Sequence, residues 1–135
     1  SGGLGTMGYA LPAAIGAKIA KPHRQVVAVC GDGSFQMSMM ELATACQQQV
    51  PVKLILMDNS RLGMVKELQD KLYGSRYEAT LLDGNPDFVQ LCRSYGITAV
   101  RAESNRQAEE YAAEMLRSEG PYVLVCRVDP DTPTI

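Results

Sequence analysis

Val26-Val27-Ala28-Val29-Cys30-Gly31-Asp32-Gly33-Ser34 is the stretch that decides the fold. Its apolar run has no alternation, the pattern of a short strand buried on both faces of a parallel sheet. The run stops abruptly at Gly31-Asp32-Gly33. A second run, Val52–Met57, follows Pro51 and stops at Asp58-Asn59-Ser60. Between them Leu42, Ala43 and Cys46 fall at helical spacing within Met39–Gln49, and Pro51 ends that helix. Strand, helix, strand, with both strands apolar throughout, is the building unit of a parallel α/β sheet.

The alternation continues outward. Leu11-Pro12 through Ala20 reads as a helix of small residues, Met64–Leu72 as another, and Tyr73–Asn85 as a loop. Asn85-Pro86-Asp87 reads as a helix start, with Asn85 as cap and Pro86 at the first helical position. Phe88, Leu91, Cys92 and Tyr95 give that helix its apolar face, and Gly96 ends it. Ile97–Val100 is a third strand. Ser104 and Gln107 have capping-box spacing ahead of an apolar stripe through Ala108, Tyr111, Ala112, Met115 and Leu116. Gly120-Pro121 closes that helix, and Tyr122–Val128 is the fourth strand. No internal repeat or low-complexity tract appears. The fold class is α/β: a doubly wound, mostly parallel sheet with helices on both faces.

Of the 135 residues 46% are hydrophobic and 21% charged, with a net charge of -2. Such a chain can bury a core without disulfide or metal staples and is not a disordered one. It has no basic stripe for nucleic acid, and no apolar run nears the ~20 residues of a membrane span. Cys30, Cys46, Cys92 and Cys126 lie far apart with no CxxC pair, so zinc and redox motifs lack support. They read as four buried, reduced thiols in a cytoplasmic setting, and no signal-peptide pattern is present. The sequence starts at Ser1 without methionine and breaks off after Pro133-Thr134-Ile135. The expectation is one domain over residues 1–135, truncated at both ends of a longer chain.

In open α/β sheets ligands bind beyond the carboxyl ends of the strands. If the first two strands are neighbours, Asp32 and Asn59 meet at one rim. A carboxylate and an amide oxygen are hard ligands, suited to Mg²⁺ or Ca²⁺. Gly33 and Ser34 offer main-chain N–H groups just before a helix, where phosphate binds well. A divalent ion with few protein ligands completes its shell with phosphate and water, so the pattern points to a magnesium diphosphate. Gly-Asp-Gly alone is a common turn, and a lone Asp is often a helix cap. What sets this pair apart is that each residue ends an apolar strand, with one helix between. Gly3-Leu4-Gly5-Thr6-Met7-Gly8 matches the dinucleotide fingerprint, but no strand precedes it, and Asp32 sits too late for a ribose contact. His23, beside Pro22 in a charged turn, reads as solvated.

Gly31-Asp32-Gly33, then Asn59 after a helix and a strand, resembles the thiamine-diphosphate signature. Gly3–Tyr9 with Leu11-Pro12-Ala13-Ala14 resembles the diphosphate domain of the acetolactate synthase large subunits. So do Gly31–Met37, Glu41–Ala45, Pro51-Val52-Lys53 and Leu62-Gly63-Met64-Val65. The resemblance covers nearly the whole chain.

It implies that Asp32, the Asn59 side chain and the main-chain oxygen of Arg61 hold Mg²⁺. Gly31, Gly33 and Ser34 would border the diphosphate on one side, Gly63 and Met64 on the other. Met7 would prop thiamine diphosphate into a bent shape, although alone it reads as core filler. The Gly5 carbonyl would accept a hydrogen bond from the aminopyrimidine. The bend lets the cofactor help deprotonate its own thiazolium carbon, and the ring is the electron sink. The activating glutamate of the family lies on another domain, usually a neighbouring subunit's, and Glu41 does not match it. No catalytic residue is therefore expected within this chain.

The implied reaction condenses two pyruvates to 2-acetolactate and CO₂, in branched-chain amino-acid biosynthesis. The implied assembly is a homo-oligomer, dimer or tetramer, with FAD on a missing domain and a regulatory small subunit as further family features. Family members commonly carry Trp where Leu68 stands, near the substrate channel, and the pattern ties that Trp to 2-ketobutyrate preference and herbicide-type inhibitors. Leu68 thus implies pyruvate as acceptor and resistance to such inhibitors. Asp58 departs too, since the family often has Asn there. A 2-keto-acid decarboxylase or another carboligase would share the Asp32/Asn59 site, and a non-catalytic nucleotide-binding module is the reading from a different class.

Overall fold

The computed structural model of the chain describes residues 3–133. Four strands, β1 (Val27–Gly31), β2 (Lys53–Asp58), β3 (Thr98–Ala102) and β4 (Tyr122–Arg127), form one sheet in the order β1-β2-β4-β3. All three pairings are parallel. The helices are α1 (Ala10–Ala20), α2 (Asp32–Gln36), α3 (Glu41–Gln47), α4 (Gly63–Tyr73), α5 (Phe88–Ser94) and α6 (Asn105–Arg117).

The two faces of the sheet are covered unequally. Leu11 and Ile15 of α1, Phe35 of α2, Leu42 of α3 and Phe88 of α5 pack on Leu54, Leu56, Val123 and Val125. On the opposite face, among the described residues, α6, through Met115, Ala108 and Ala112, covers Ala102, Tyr122 and Leu124. Helices thus lie on both faces, as the strand–helix alternation requires. The expectation that the first strand is buried on both faces fails, however. In the described sheet β1 is an edge strand beyond the reach of α6, and Val29 is 59% exposed. An apolar run shows that a strand can be buried, not what buries it.

Local details differ from the sequence reading in several places. Helix α2 begins at Asp32 itself, with Gly31 extended at its N-cap, so that Gly33 and Ser34 lie inside the helix and not just before it. The cap of α5 is Asp87, which accepts from the Val89 (2.9 Å) and Gln90 (3.1 Å) amides, and not Asn85. Of the four cysteines, all free, only Cys92 is buried and the others are half-buried. Burial pushes the Cys92 thiol up to about 12 and that of Cys30 to about 11, so neither is a nucleophile near neutrality. Half of the Ser104 capping-box expectation holds: its hydroxyl accepts from the Gln107 amide at 3.3 Å, but the Gln107 side chain accepts from the Glu103 amide at 2.9 Å and not from that of Ser104. Among the described residues no helix is long and apolar enough to cross a membrane. His23 is exposed.

The Asp87 cap yields a pH-dependent prediction. The Gln90 amide first, then the Val89 amide and Arg101, hold the Asp87 carboxyl below its ordinary value of 3.8. A depressed native value means that the unfolded chain binds protons more readily, so the stabilisation is complete above 3.8 and is lost as the pH falls through the native value. Asp87→Ala is expected to cost about 1 kcal/mol at neutral pH. Urea unfolding of both forms should converge well below pH 3.8, and curves that stay parallel there would assign the loss to packing.

Candidate functional site

The register of β1 on β2 creates the site. Gly31 stands opposite Met57, so the chain leaves both strands at one level of the sheet rim. From β1 it passes straight into α2, whose first residue is Asp32. From β2 it turns through Asn59 and Ser60 before α4; Ser60 takes a left-handed φ of 55°. Asn59 Oδ1 accepts from the Arg61 amide at 3.1 Å, which folds the side chain onto its own turn.

A cleft of about 410 Å³ lies between these rims. Gly31, Asp32, Gly33 and Ser34 form one wall, and Asn59, Arg61, Gly63 and Met64 the other. Gly5 and Met7 close it from the loop ahead of α1. The sequence reading named all ten of these positions, and one cleft gathers them. It left out Met57, Leu62 and Val65, which add apolar wall. Leu68 is not among the lining residues; it lies one turn further along α4, 47% exposed. Glu41 does not line the cleft either, and its carboxylate accepts from the Thr44 hydroxyl at 2.7 Å.

Small residues let the walls approach. A Cβ on Gly33 would stand 2.5 Å from Leu62 Cδ2, and 3.3 Å from both Leu82 Cδ1 and Met7 Cε. Gly8 has a φ of 80°, which favours glycine, and its amide donates to Ser34 Oγ at 3.0 Å. That bond ties the loop carrying Gly5 and Met7 to α2. It also uses one acceptor site of the Ser34 hydroxyl, whose O–H remains a donor.

Asp32 is 1% exposed. Its Oδ1 accepts from the Gly33 amide at 2.9 Å and its Oδ2 from Asn85 Nδ2 at 2.8 Å. Burial pushes its carboxyl above the ordinary value; the Asn85 and Gly33 donors pull it back, and the nearby Asp58 charge raises it further. Asp58 is also buried, but Arg101 (3.6 Å) and Arg127 (3.7 Å) flank it. The segment after α4 straps this rim: the Leu62 amide donates to the Thr80 carbonyl, and the Leu82 amide to the Ser60 carbonyl, both at 2.9 Å. Sequence reasoning missed Asn85 as a partner of Asp32. The two are 53 residues apart, and no local pattern links a loop asparagine to a distant carboxylate.

The donor set suits a hard cation that brings ligands of its own. Asp32 and Asn59 are oxygen donors with lone pairs to spare. Among the described residues no group of three or more His, Cys, Asp or Glu could hold a metal ion. A cation between these rims would therefore complete its shell with main-chain, water or phosphate oxygens. The glycine-lined wall at the start of α2 gives a phosphate room to approach the backbone.

Residues 1–126 match the family described as "Thiamine pyrophosphate enzyme, C-terminal TPP binding domain". The chain is 46% identical over 129 residues to the acetolactate synthase isozyme 2 large subunit of Escherichia coli (strain K12), covering 96% of this chain and 24% of that protein. It is 47% identical over 132 residues to an acetolactate synthase of Arthrospira platensis, covering 97% and 23%. Among solved structures it resembles a thiamine diphosphate-dependent 4-hydroxybenzoylformate decarboxylase of Rhodococcus jostii RHA1, at a TM-score of 0.86 and 29% identity over 93% of this chain and 24% of that one. The chain thus spans about a quarter of the length of these relatives.

Gly33→Ala tests the close approach of the walls. The atoms in the way are free ends of Leu62, Leu82 and Met7, which can swing aside. The expected cost is about 1 kcal/mol in urea unfolding, the low end for overpacking. A loss above about 3 kcal/mol would mean that these side chains are locked and the wall is rigid.

Proposed function

The chain belongs to the thiamine pyrophosphate enzymes, as their C-terminal TPP binding domain, and from that premise we propose that it serves an acetolactate synthase that condenses two pyruvates to 2-acetolactate and CO₂. The observation that carries this reading is the gathering of Asp32, Asn59 and Gly33 on one cleft, in a chain 46% identical to an acetolactate synthase large subunit. Asp32, the Asn59 side chain and the Arg61 main-chain oxygen hold Mg²⁺. Gly33 and Ser34 on one side, Gly63 and Met64 on the other, cradle the diphosphate, with Gly31 leaving space where the strand ends. Met7 props the cofactor, and the Gly5 carbonyl orients its pyrimidine. When bound, thiamine diphosphate supplies an electron sink for decarboxylation of a 2-keto acid. This chain's residues bind and orient it and keep water from its apolar side, with Met57, Leu62 and Val65 as the wall.

The activating glutamate belongs to another domain, and the working unit is a homo-oligomer. The exposed apolar residues of α4, Met64, Leu68 and Leu72 among them, favour such a neighbour. FAD on a further domain, a regulatory small subunit and a cytoplasmic location complete the reading. A simple 2-keto-acid decarboxylase is the second reading, favoured by the likeness to the 4-hydroxybenzoylformate decarboxylase.

Two experiments test this. The full-length protein, given pyruvate, thiamine diphosphate and Mg²⁺, is expected to release acetolactate, and Asp32→Ala to abolish it. Acetaldehyde as the product would move the protein to the decarboxylases, and residues 1–135 alone are expected to turn over no pyruvate. Leu68→Trp in the full-length protein is expected to raise the share of 2-ketobutyrate used as acceptor and to sensitise the enzyme to herbicide-type inhibitors. An unchanged acceptor ratio in competition assays would remove Leu68 from the substrate channel.

A further inference from the structure

We propose that Asn85 is a positioning residue for the metal site: it fixes the Asp32 carboxylate so that one oxygen edge stays open to the cation. The inference rests on the reading of Asp32 as a ligand of Mg²⁺.

The geometry is specific. Asn85 Nδ2 donates to Asp32 Oδ2 at 2.8 Å, while Asn85 Oδ1 accepts from Gln36 Nε2 at 2.8 Å. A carboxylate accepts and cannot donate, so only the NH₂ end of the amide can face Asp32. Gln36 holds the other end and so disfavours turning the amide over. On the Asp32 side, the Gly33 amide takes Oδ1 at 2.9 Å. With Gly33 on one oxygen, Asn85 on the other and the Ser60 main chain also donating to the carboxylate, the group cannot rotate without losing a bond, while lone pairs remain for a cation.

Asn85 is itself held from behind. Its amide donates to the Leu82 carbonyl at 3.1 Å, and the Leu82 amide donates to the Ser60 carbonyl at 2.9 Å. Ser60 follows Asn59 directly. Asn85 therefore connects the two strand ends that carry the proposed ligands: by side chain to Asp32, and by two main-chain bonds to the turn holding Asn59. Partners that orient a metal's ligands commonly change metal affinity by about 10–100-fold when removed.

The test uses the full-length protein. Mg²⁺ is titrated calorimetrically in the presence of thiamine diphosphate, for wild type, Asn85→Ala and Gln36→Met. Asn85→Ala is expected to weaken Mg²⁺ by roughly 10–100-fold, and Gln36→Met, which only frees the amide to turn, by less. High Mg²⁺ should restore the diphosphate affinity of Asn85→Ala. A merely structural role predicts otherwise, since a collapsed cleft is not rescued by metal. Wild-type Mg²⁺ affinity in Asn85→Ala would overturn the positioning role while leaving the cofactor reading intact. Weakened diphosphate binding that Mg²⁺ does not rescue would overturn it too. Should Asn85→Ala fail to fold, Gln36→Met decides, and unchanged Mg²⁺ affinity there counts against the proposal. No Mg²⁺-dependent binding in wild type would remove both readings together.

Discussion

The in-register parallel pairing of β1 and β2 is the constraint on which the site depends. Parallel strands leave a sheet at the same edge, and with Gly31 opposite Met57 they leave it level. The first polar residues after each strand are thereby neighbours, whatever the intervening helix does. A slip of one residue would turn each side chain of β1 to the other face. Ala28, packed against the covering helices, would then trade places with the exposed Val27 and Val29. The same apolar pattern that buries one face of β1 therefore sets the height at which Asp32 stands, so core packing and site geometry are one problem here.

That arrangement buries two carboxylates, Asp32 and Asp58, close enough for the Asp58 charge to disfavour that of Asp32. The protein treats them differently. Asp58 stands between Arg101 and Arg127 and is neutralised by them. Among the described residues Asp32 has neutral donors, the Gly33 and Ser60 main chain and the Asn85 side chain. Neutral donors orient a carboxylate and ease its burial, but they leave its negative charge in place. An oriented, buried, uncompensated carboxylate near the Asn59 amide oxygen, which keeps a lone pair beyond the Arg61 amide, is an environment that a hard divalent cation relieves. The Arg pair on Asp58 has the further effect of reserving that relief for Asp32.

Much of this was legible in the sequence because its signals are local or follow from topology. The strand ends at Gly31 and Asp58, the helix between them, and the rule that ligands sit at carboxyl ends were enough to pair Asp32 with Asn59. The Ser104 cap was legible for the same reason, as its partner lies within one turn. What escaped depends on long-range placement. Asn85 has the composition of a helix cap, yet the adjacent Asp87 took that role and the asparagine was drawn to a carboxylate across the rim. The exposure of Val29 escaped because an apolar run does not say which strands flank it. Helix α2 is only one turn or so long, too short for periodicity to register its start at Asp32.

The cleft also divides labour in a way that its residue types make plain. Of the described residues that line it, only Asp32 and Arg61 carry titratable side chains. Asp32 is fixed by hydrogen bonds, and Arg61 pairs with Asp131 at 3.5 Å. A general acid or base must be placed to reach the reacting proton and free to exchange it; a buried carboxylate fixed by hydrogen bonds and a guanidinium held in an ion pair are neither. The rest of the wall is glycine, methionine, leucine, valine, one serine and one asparagine, which shape and dry the space. Such a surface binds and orients a reactive group without taking part in its proton transfers. On the function proposed above, the acid–base chemistry would fall to the bound group and to residues outside this cleft, and the exposed apolar residues of α4 offer a surface on which a neighbour could pack.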